Sequence, residues 1–144
     1  PEYNLKNWMS YYVLKEEPVF AMLPSSHPLA KCAAVSKEEL EGERLILLSG
    51  SDKTERLAAW TIDGVAKPIY AYVNSQESVE TLVAAGYGIS MSVESACRPH
   101  PMIAYVPMKR PHLERICLLW NKHQAVQEWI DRFASLFMME PSEM

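Results

Sequence analysis

Hydrophobic spacing is clearest from Ser75 to Met91, where SQESVETLVAAGYGISM combines a helix start, an apolar stripe, a glycine stop and the beginning of a strand. Ser75 is a good N-cap, and Gln76, Glu77 and Glu80 place polar and acidic groups beside the unpaired N–H groups of the first turns. Val79, Leu82, Val83 and Gly86 follow at helical spacing, so one face is apolar and the helix is expected to lie on a sheet. Gly86 with Gly88 can supply a left-handed C-cap and a sharp turn, after which the chain re-enters the sheet at Ile89 to Met91.

The rest of the chain is read relative to that unit. Trp8 to Leu14 is aromatic and β-rich, and predicts an extended connection leading to a buried strand at Pro18 to Leu23. Ser36 and Glu39 have capping-box spacing around a short helix that Gly42 stops. Arg44 to Leu48 predicts a short buried strand, and a helix is expected from about Lys53 to Ile62, burying Leu57 and Trp60 and ended by Asp63 and Gly64. Lys67 to Val73 is apolar on both faces, as expected of a strand covered by helices on both sides. After a short turn at Val93 to Cys97 come strands at Ile103 to Pro107 and Glu114 to Trp120. An amphipathic helix from His123 to Met138 then carries Val126, Trp129, Ile130, Phe133, Leu136 and Phe137 on one face. Strand and helix alternate through the middle, which predicts an α/β fold with a largely parallel sheet.

Composition narrows the function classes. With 144 residues, 49% of them hydrophobic, the chain can bury the core of one ordinary domain. A formal net charge of -4 argues against autonomous nucleic-acid binding, which needs a basic face to displace counterions. Three widely spaced cysteines fit a reducing compartment better than a disulfide framework, and no run of about 18 apolar residues is present to cross a bilayer, so a cytoplasmic location is expected.

In a parallel sheet, ligands bind beyond the carboxyl ends of the strands, where helix N-termini converge. Two helix starts qualify: Ser49, Gly50, Ser51, Lys53 and Thr54 after RLILL, and Asn74 and Ser75 after YAYV. Each offers hydroxyl or amide side chains and free N–H groups suited to a carboxylate, sulfate or phosphate, and each also reads simply as a helix cap. Gly86-Tyr87-Gly88 follows a helix and precedes a strand, the reverse of a dinucleotide fingerprint, so it reads as a turn. Cys97 and His100 lack a second pair of metal ligands, Cys32 and Cys117 read as core residues, and His27 has no visible partner for base chemistry. No catalytic group, metal site or cofactor is expected.

Three stretches are similar to the effector-binding domain of LysR-type transcriptional regulators: EPVFAMLPSSHPLAK at Glu17 to Lys31, EELEGERLILL at Glu38 to Leu48, and SVETLVAAGYGIS at Ser78 to Ser90. A closing strand ICLLW and a helix ending FASLF also fit, so the resemblance spans Leu14 to Phe137. It implies a Rossmann-like half of a type 2 periplasmic-binding-protein-like fold, with a mostly parallel sheet flanked by helices and a C-terminal amphipathic helix. It also implies a division into residues 1–16, a remnant of subdomain I with the first hinge connection; 17–117, the effector-binding subdomain II; and 118–144, the returning strand end and C-terminal helix of subdomain I. The family's effector lies in the cleft between subdomains, which points to the same two helix starts and puts hinges near Pro18, Val19 and Phe20 and near Cys117, Leu118 and Leu119.

Members usually carry a winged helix-turn-helix, a linker helix and a first α/β subdomain ahead of the matched stretch. DNA contact is therefore expected only through a helix-turn-helix that this sequence does not contain. Members also commonly have a proline after the apolar residues that follow the Gly-x-Gly, where this chain has Ser92. Some sense peroxide through two cysteines in and after the loop corresponding to Ser49 to Trp60; that segment has none here. The resemblance thus implies a ligand-sensing, non-enzymatic regulatory domain that binds a small anionic metabolite and works in a homo-oligomer, dimer or tetramer, with no membrane contact. The alternative is a solute-binding protein of the same two-lobed architecture working in transport. Without subdomain I, the apolar face of the C-terminal helix is expected to fold back on this half-domain or to be buried against a second copy.

Overall fold

The computed structural model describes residues 9–49, 61–62, 65–66, 69–121, 123 and 127–138. The chain divides into two compact units, Pro18–His112 and Pro1–Glu17 with Leu113–Met144.

In the first unit the sheet is mixed. Strand β1 (Met9–Pro24) runs antiparallel to β6 (Ser90–Val93) on one side and β7 (Ile103–Pro107) on the other. Strand β2 (Leu45–Leu48) pairs in parallel with β5 (Ile69–Val73), and a parallel bridge from Leu45 to Ile89 joins β2 to the start of β6. The expected parallel arrangement therefore holds for β2, β5 and that bridge, whereas β1 is antiparallel to both neighbours.

Alternation along these strands builds a core on each face of the sheet. Ala21, Leu23, Leu45, Leu47, Ile89 and Val106 pack with Val35, Leu40 and Met108 on one face; Met22, Ile46 and Ile103 pack under Val79 and Val83 of helix α1 (Gln76–Ala84) on the other. Helix α1 has the caps that its sequence predicts. Ser75 Oγ accepts from the Ser78 N–H at 3.1 Å, and Gly86 sits at φ 78°. Tyr87 N–H donates to Leu82 O and Gly86 N–H to Val83 O, a Schellman pair that closes the last turn. The box at Ser36 also forms, around a short 3-10 turn at Glu38–Leu40: Ser36 N–H donates to Glu39 Oε2 at 2.7 Å, and Glu39 N–H donates to Ser36 Oγ at 3.3 Å.

Four expectations change. The extended stretch from Trp8 to Leu14 and the strand after it form one strand, β1, over its described length from Met9. The helix expected to reach Ile62 does not: β3 (Thr61–Ile62) pairs antiparallel with β4 (Val65–Ala66), as suits β-branched residues flanking an Asp-Gly dipeptide. Leu57 and Trp60 lie outside the described residues. On β5 the tyrosine face is open, with Tyr70 and Tyr72 exposed and the Arg44 guanidinium 5.0 Å over the Tyr70 ring. Cys32 is exposed rather than in the core, because it follows a series of turns that lifts it off the sheet; Cys117 is half-buried.

In the second unit, β8 (Leu113–Asn121) pairs with β1, and helix α2 (Gln127–Met138) is held by its first turns. Tyr12 Oη donates to Asp131 Oδ1 at 2.7 Å, and Gln127 Nε2 donates to the same oxygen at 2.8 Å. The Trp120 ring lies 4.9 Å from that of Tyr12. The hydrogen bond to Asp131 holds the Tyr12 hydroxyl above the ordinary tyrosine range. Ala134 is buried and Ile130 half-buried, but Trp129, Phe133 and Leu136 are exposed, so the described part of the predicted apolar face is only partly covered; Val126 lies outside the described residues.

Candidate functional site

Strand directions in the Pro18–His112 unit bring several chain ends to one edge of the sheet. β6 and β7 both run opposite to β1, and the register pairs Val19 with Val93 and Phe20 with Pro107. β2 and β5 run together and end at Leu48 and Val73, which are also partners. The C-terminal ends of β2, β5, β6 and β7 therefore share an edge with the Val19–Phe20 stretch of β1. This is where ligands bind in open α/β sheets.

Ser49 leaves that edge exposed, with its N–H donating to Val73 O at 2.6 Å. This bond ties the end of β2 to the end of β5, one residue before Asn74. Asn74 is exposed, and its side chain has no hydrogen-bond partner among the described residues. Ser75 is half-buried and its hydroxyl is committed: it caps α1 and lies 2.8 Å from Ser78 Oγ. Ser75 thus aims the helix end, while Asn74 and the first N–H groups of α1 remain available to an anion at the positive end of the helix. Gly50, Ser51, Lys53 and Thr54 lie outside the described residues.

Pro18, Val19 and Phe20 lie in mid-β1, with Val19 buried and the other two half-buried. Val19 N–H donates to His112 O at 3.0 Å. Cys117, Leu118 and Leu119 lie within β8, in the other unit.

Two residues of the edge were not singled out as candidates by helix-start reasoning. Glu94 is exposed directly after β6, at the same edge of the sheet. Ser92 is buried one residue before the end of β6. A pattern of Ser90, Met91, Ser92, Val93 places both serines on one face of a strand, and polar groups on a buried face are the signal that marks them.

Several other polar groups of this unit pair within the fold. Leu29 N–H donates to His27 Nδ1 at 3.1 Å, which leaves Nε2–H to donate to Glu43 at 3.0 Å; the partner that the sequence does not show is Glu43. Lys109 Nζ donates to both Glu39 oxygens at 2.9 and 3.0 Å, beside the bridge from Val35 to Met108. The Tyr105 hydroxyl is shielded and has no well-formed hydrogen bond among the described residues; burial raises its pKa, Glu80 and Cys97 add to the effect, and Arg98 opposes it. Cys97 Sγ donates to Val93 O at 3.4 Å. No group of acidic, histidine or cysteine side chains suited to a metal ion occurs among the described residues. None of their helices is long and apolar enough to cross a membrane.

Comparison with known proteins agrees with this arrangement. The crystal structure of HinK, a LysR family transcriptional regulator from Pseudomonas aeruginosa, superposes with a TM-score of 0.79 at 24% identity, covering 94% of this chain and 50% of that one. The reduced form of the OxyR regulatory domain from Pseudomonas aeruginosa gives 0.73 at 18% identity, covering 94% of this chain and 68% of that one. The effector binding domain of QuiR in complex with shikimate gives 0.75 at 18% identity, with 91% and 66% coverage. This chain spans about half the length of HinK. No curated protein matches its sequence. The profile described as LysR substrate binding domain matches residues 6–138, nearly the whole chain, which therefore belongs to the LysR substrate-binding domain family.

Proposed function

We propose that this chain is the ligand-sensing part of a cytoplasmic LysR-type transcriptional regulator and that it binds a small anionic metabolite without turning it over. The observation that carries the reading is the sheet edge where Ser49, Asn74 and the N-terminus of α1 meet the ends of β6 and β7. A carboxylate there meets free N–H groups, the Asn74 amide and the Ser49 hydroxyl. Gly50, Ser51, Lys53 and Thr54 extend this set in the proposal.

Binding acts as a population shift: the ligand favours one arrangement of a homo-oligomer held on DNA by a separate helix-turn-helix. Pro18 to Phe20 and Cys117 to Leu119 are the proposed hinges, and 17–117 the effector-binding subdomain. The effector binding domain of QuiR, which is similar in fold and was solved in complex with shikimate, supports a small hydroxylated acid as the ligand class.

The test is thermal-shift screening of this chain, and of the full-length protein that contains it, against a panel of small organic acids. A saturable rise in Tm that Asn74→Ala abolishes is expected. A panel that stabilises neither protein refutes the reading.

A further inference from the structure

Among the polar residues of the β6 edge, Ser92 stands apart. It is only 7% exposed, yet its hydroxyl has no hydrogen-bond partner among the described residues. Ser90, two residues earlier on the same face, shows the structural alternative: its Oγ donates to Ile46 O at 2.7 Å. Ser92 pairs with Phe20 and Ser90 with Met22, which belongs to the core beneath α1, while Met91 packs into the opposite core. Ser92 therefore points to the α1 side of the sheet, at the edge where α1 begins. Among the described residues Tyr105 Oη alone is both shielded and without a well-formed hydrogen bond, so Ser92 Oγ keeps a small opening to solute. A hydroxyl in so nearly buried a place, without a protein partner among the described residues, is open to a hydrogen bond with an incoming group.

We propose that Ser92 is a ligand-contacting, specificity-determining residue, and that the ligand is a small carboxylic acid bearing hydroxyl groups. The inference rests on the effector site proposed above and deepens it. The ligand carboxylate occupies the N-terminus of α1 beside Asn74, Ser92 Oγ exchanges a hydrogen bond with a ligand oxygen, and Glu94 accepts from a second ligand hydroxyl. Ser92 can donate or accept, so it serves a ligand hydroxyl in either role. An acid without hydroxyls leaves Glu94 facing its negative charge uncompensated.

The experiment pairs a stability measurement with amide NMR titrations of the wild-type chain and Ser92→Ala. The probes are the sodium salts of malate, tartrate and quinate, with succinate and cyclohexanecarboxylate as hydroxyl-free counterparts. Ser92→Ala is expected to keep or raise the wild-type Tm, because no bond within the fold is lost. In the wild type at least one hydroxy acid is expected to shift the Ser49, Asn74 to Glu77 and Ser92 amides saturably. Ser92→Ala should weaken that binding about 3- to 10-fold, the value of one neutral hydrogen bond, and leave the hydroxyl-free acids unaffected. A clear fall in Tm would show that the hydroxyl is structural and overturn the proposal. Wild-type affinity in Ser92→Ala overturns the role of Ser92 and leaves the site standing, whereas no shift at the edge with any acid overturns both.

Discussion

Replacing Gly88 with alanine tests how the site edge is built. A Cβ on Gly88 falls well inside contact with the Arg44 carbonyl oxygen, and lies 3.2 Å from both the carbonyl carbon and the Cβ of Arg44. The obstacle is backbone and cannot swing away. The same place carries two bonds that dock β6 on β2: Ile89 N–H to Arg44 O at 2.8 Å, and Ile46 N–H to Ile89 O at 2.9 Å. Relieving the clash moves the chain at Ile89 and lengthens both. Losing them costs about 2 kcal/mol, and residual overpacking adds at least ~1 kcal/mol. A total of about 3 kcal/mol, at roughly 4 °C per kcal/mol for a chain of this size, lowers Tm by roughly 12 °C.

Gly86→Ala is the control. Its site is open and only the left-handed φ of 78° is strained. That variant should lose about 1 kcal/mol. Thermal and urea unfolding followed by far-UV circular dichroism measures both, with hydrogen exchange at the Ile89 amide as a local reading. If Gly88→Ala costs less than Gly86→Ala, or leaves the Ile89 amide as protected as in wild type, the close approach of β6 to β2 is wrong. The position of Ser92 and Glu94 at the edge would then be wrong with it.

Other outcomes follow from named contacts. Ser75→Ala should cost about 1 kcal/mol through loss of the α1 cap, and weaken acid binding by misaligning the helix end, whereas Asn74→Ala should abolish binding with stability unchanged; urea unfolding beside titration separates the two. The Ser36 N–H and then Lys109 hold the Glu39 carboxyl below the usual carboxylate range. A depressed folded-state pKa means that its stabilisation is present above the ordinary carboxylate value and is lost as pH falls through the lowered one. Melting wild type and Glu39→Gln across pH should therefore show a difference at neutral pH that disappears in acid. Tyr12→Phe should speed hydrogen exchange in the first turns of α2 by removing the bond to Asp131; the raised Tyr12 pKa means that this bond is present below the ordinary tyrosine value and is lost as pH rises through the raised one. Unchanged exchange at Asp131 and Arg132 would show that α2 does not depend on this latch.

What the sequence determined by itself were features that neighbours along the chain complete. The cap at Ser75, the stop at Gly86 and the box between Ser36 and Glu39 each join groups a few residues apart, so spacing and residue type suffice to predict them. The strand Ile103–Pro107 and the buried face of α1 at Val79 and Val83 were equally plain from period. The tertiary structure alone decided features whose partner is distant in sequence. Tyr70 and Tyr72 resemble buried strand residues but face solvent, with Arg44, far back in the chain, over the Tyr70 ring. Ser90 and Ser92 are the sharpest case. They are the same residue on the same face of one strand, yet among the described residues only Ser90 meets a carbonyl, that of Ile46, 44 residues away. Local rules give a side chain its face; whether its hydrogen bond is satisfied depends on which strand the fold lays beside it.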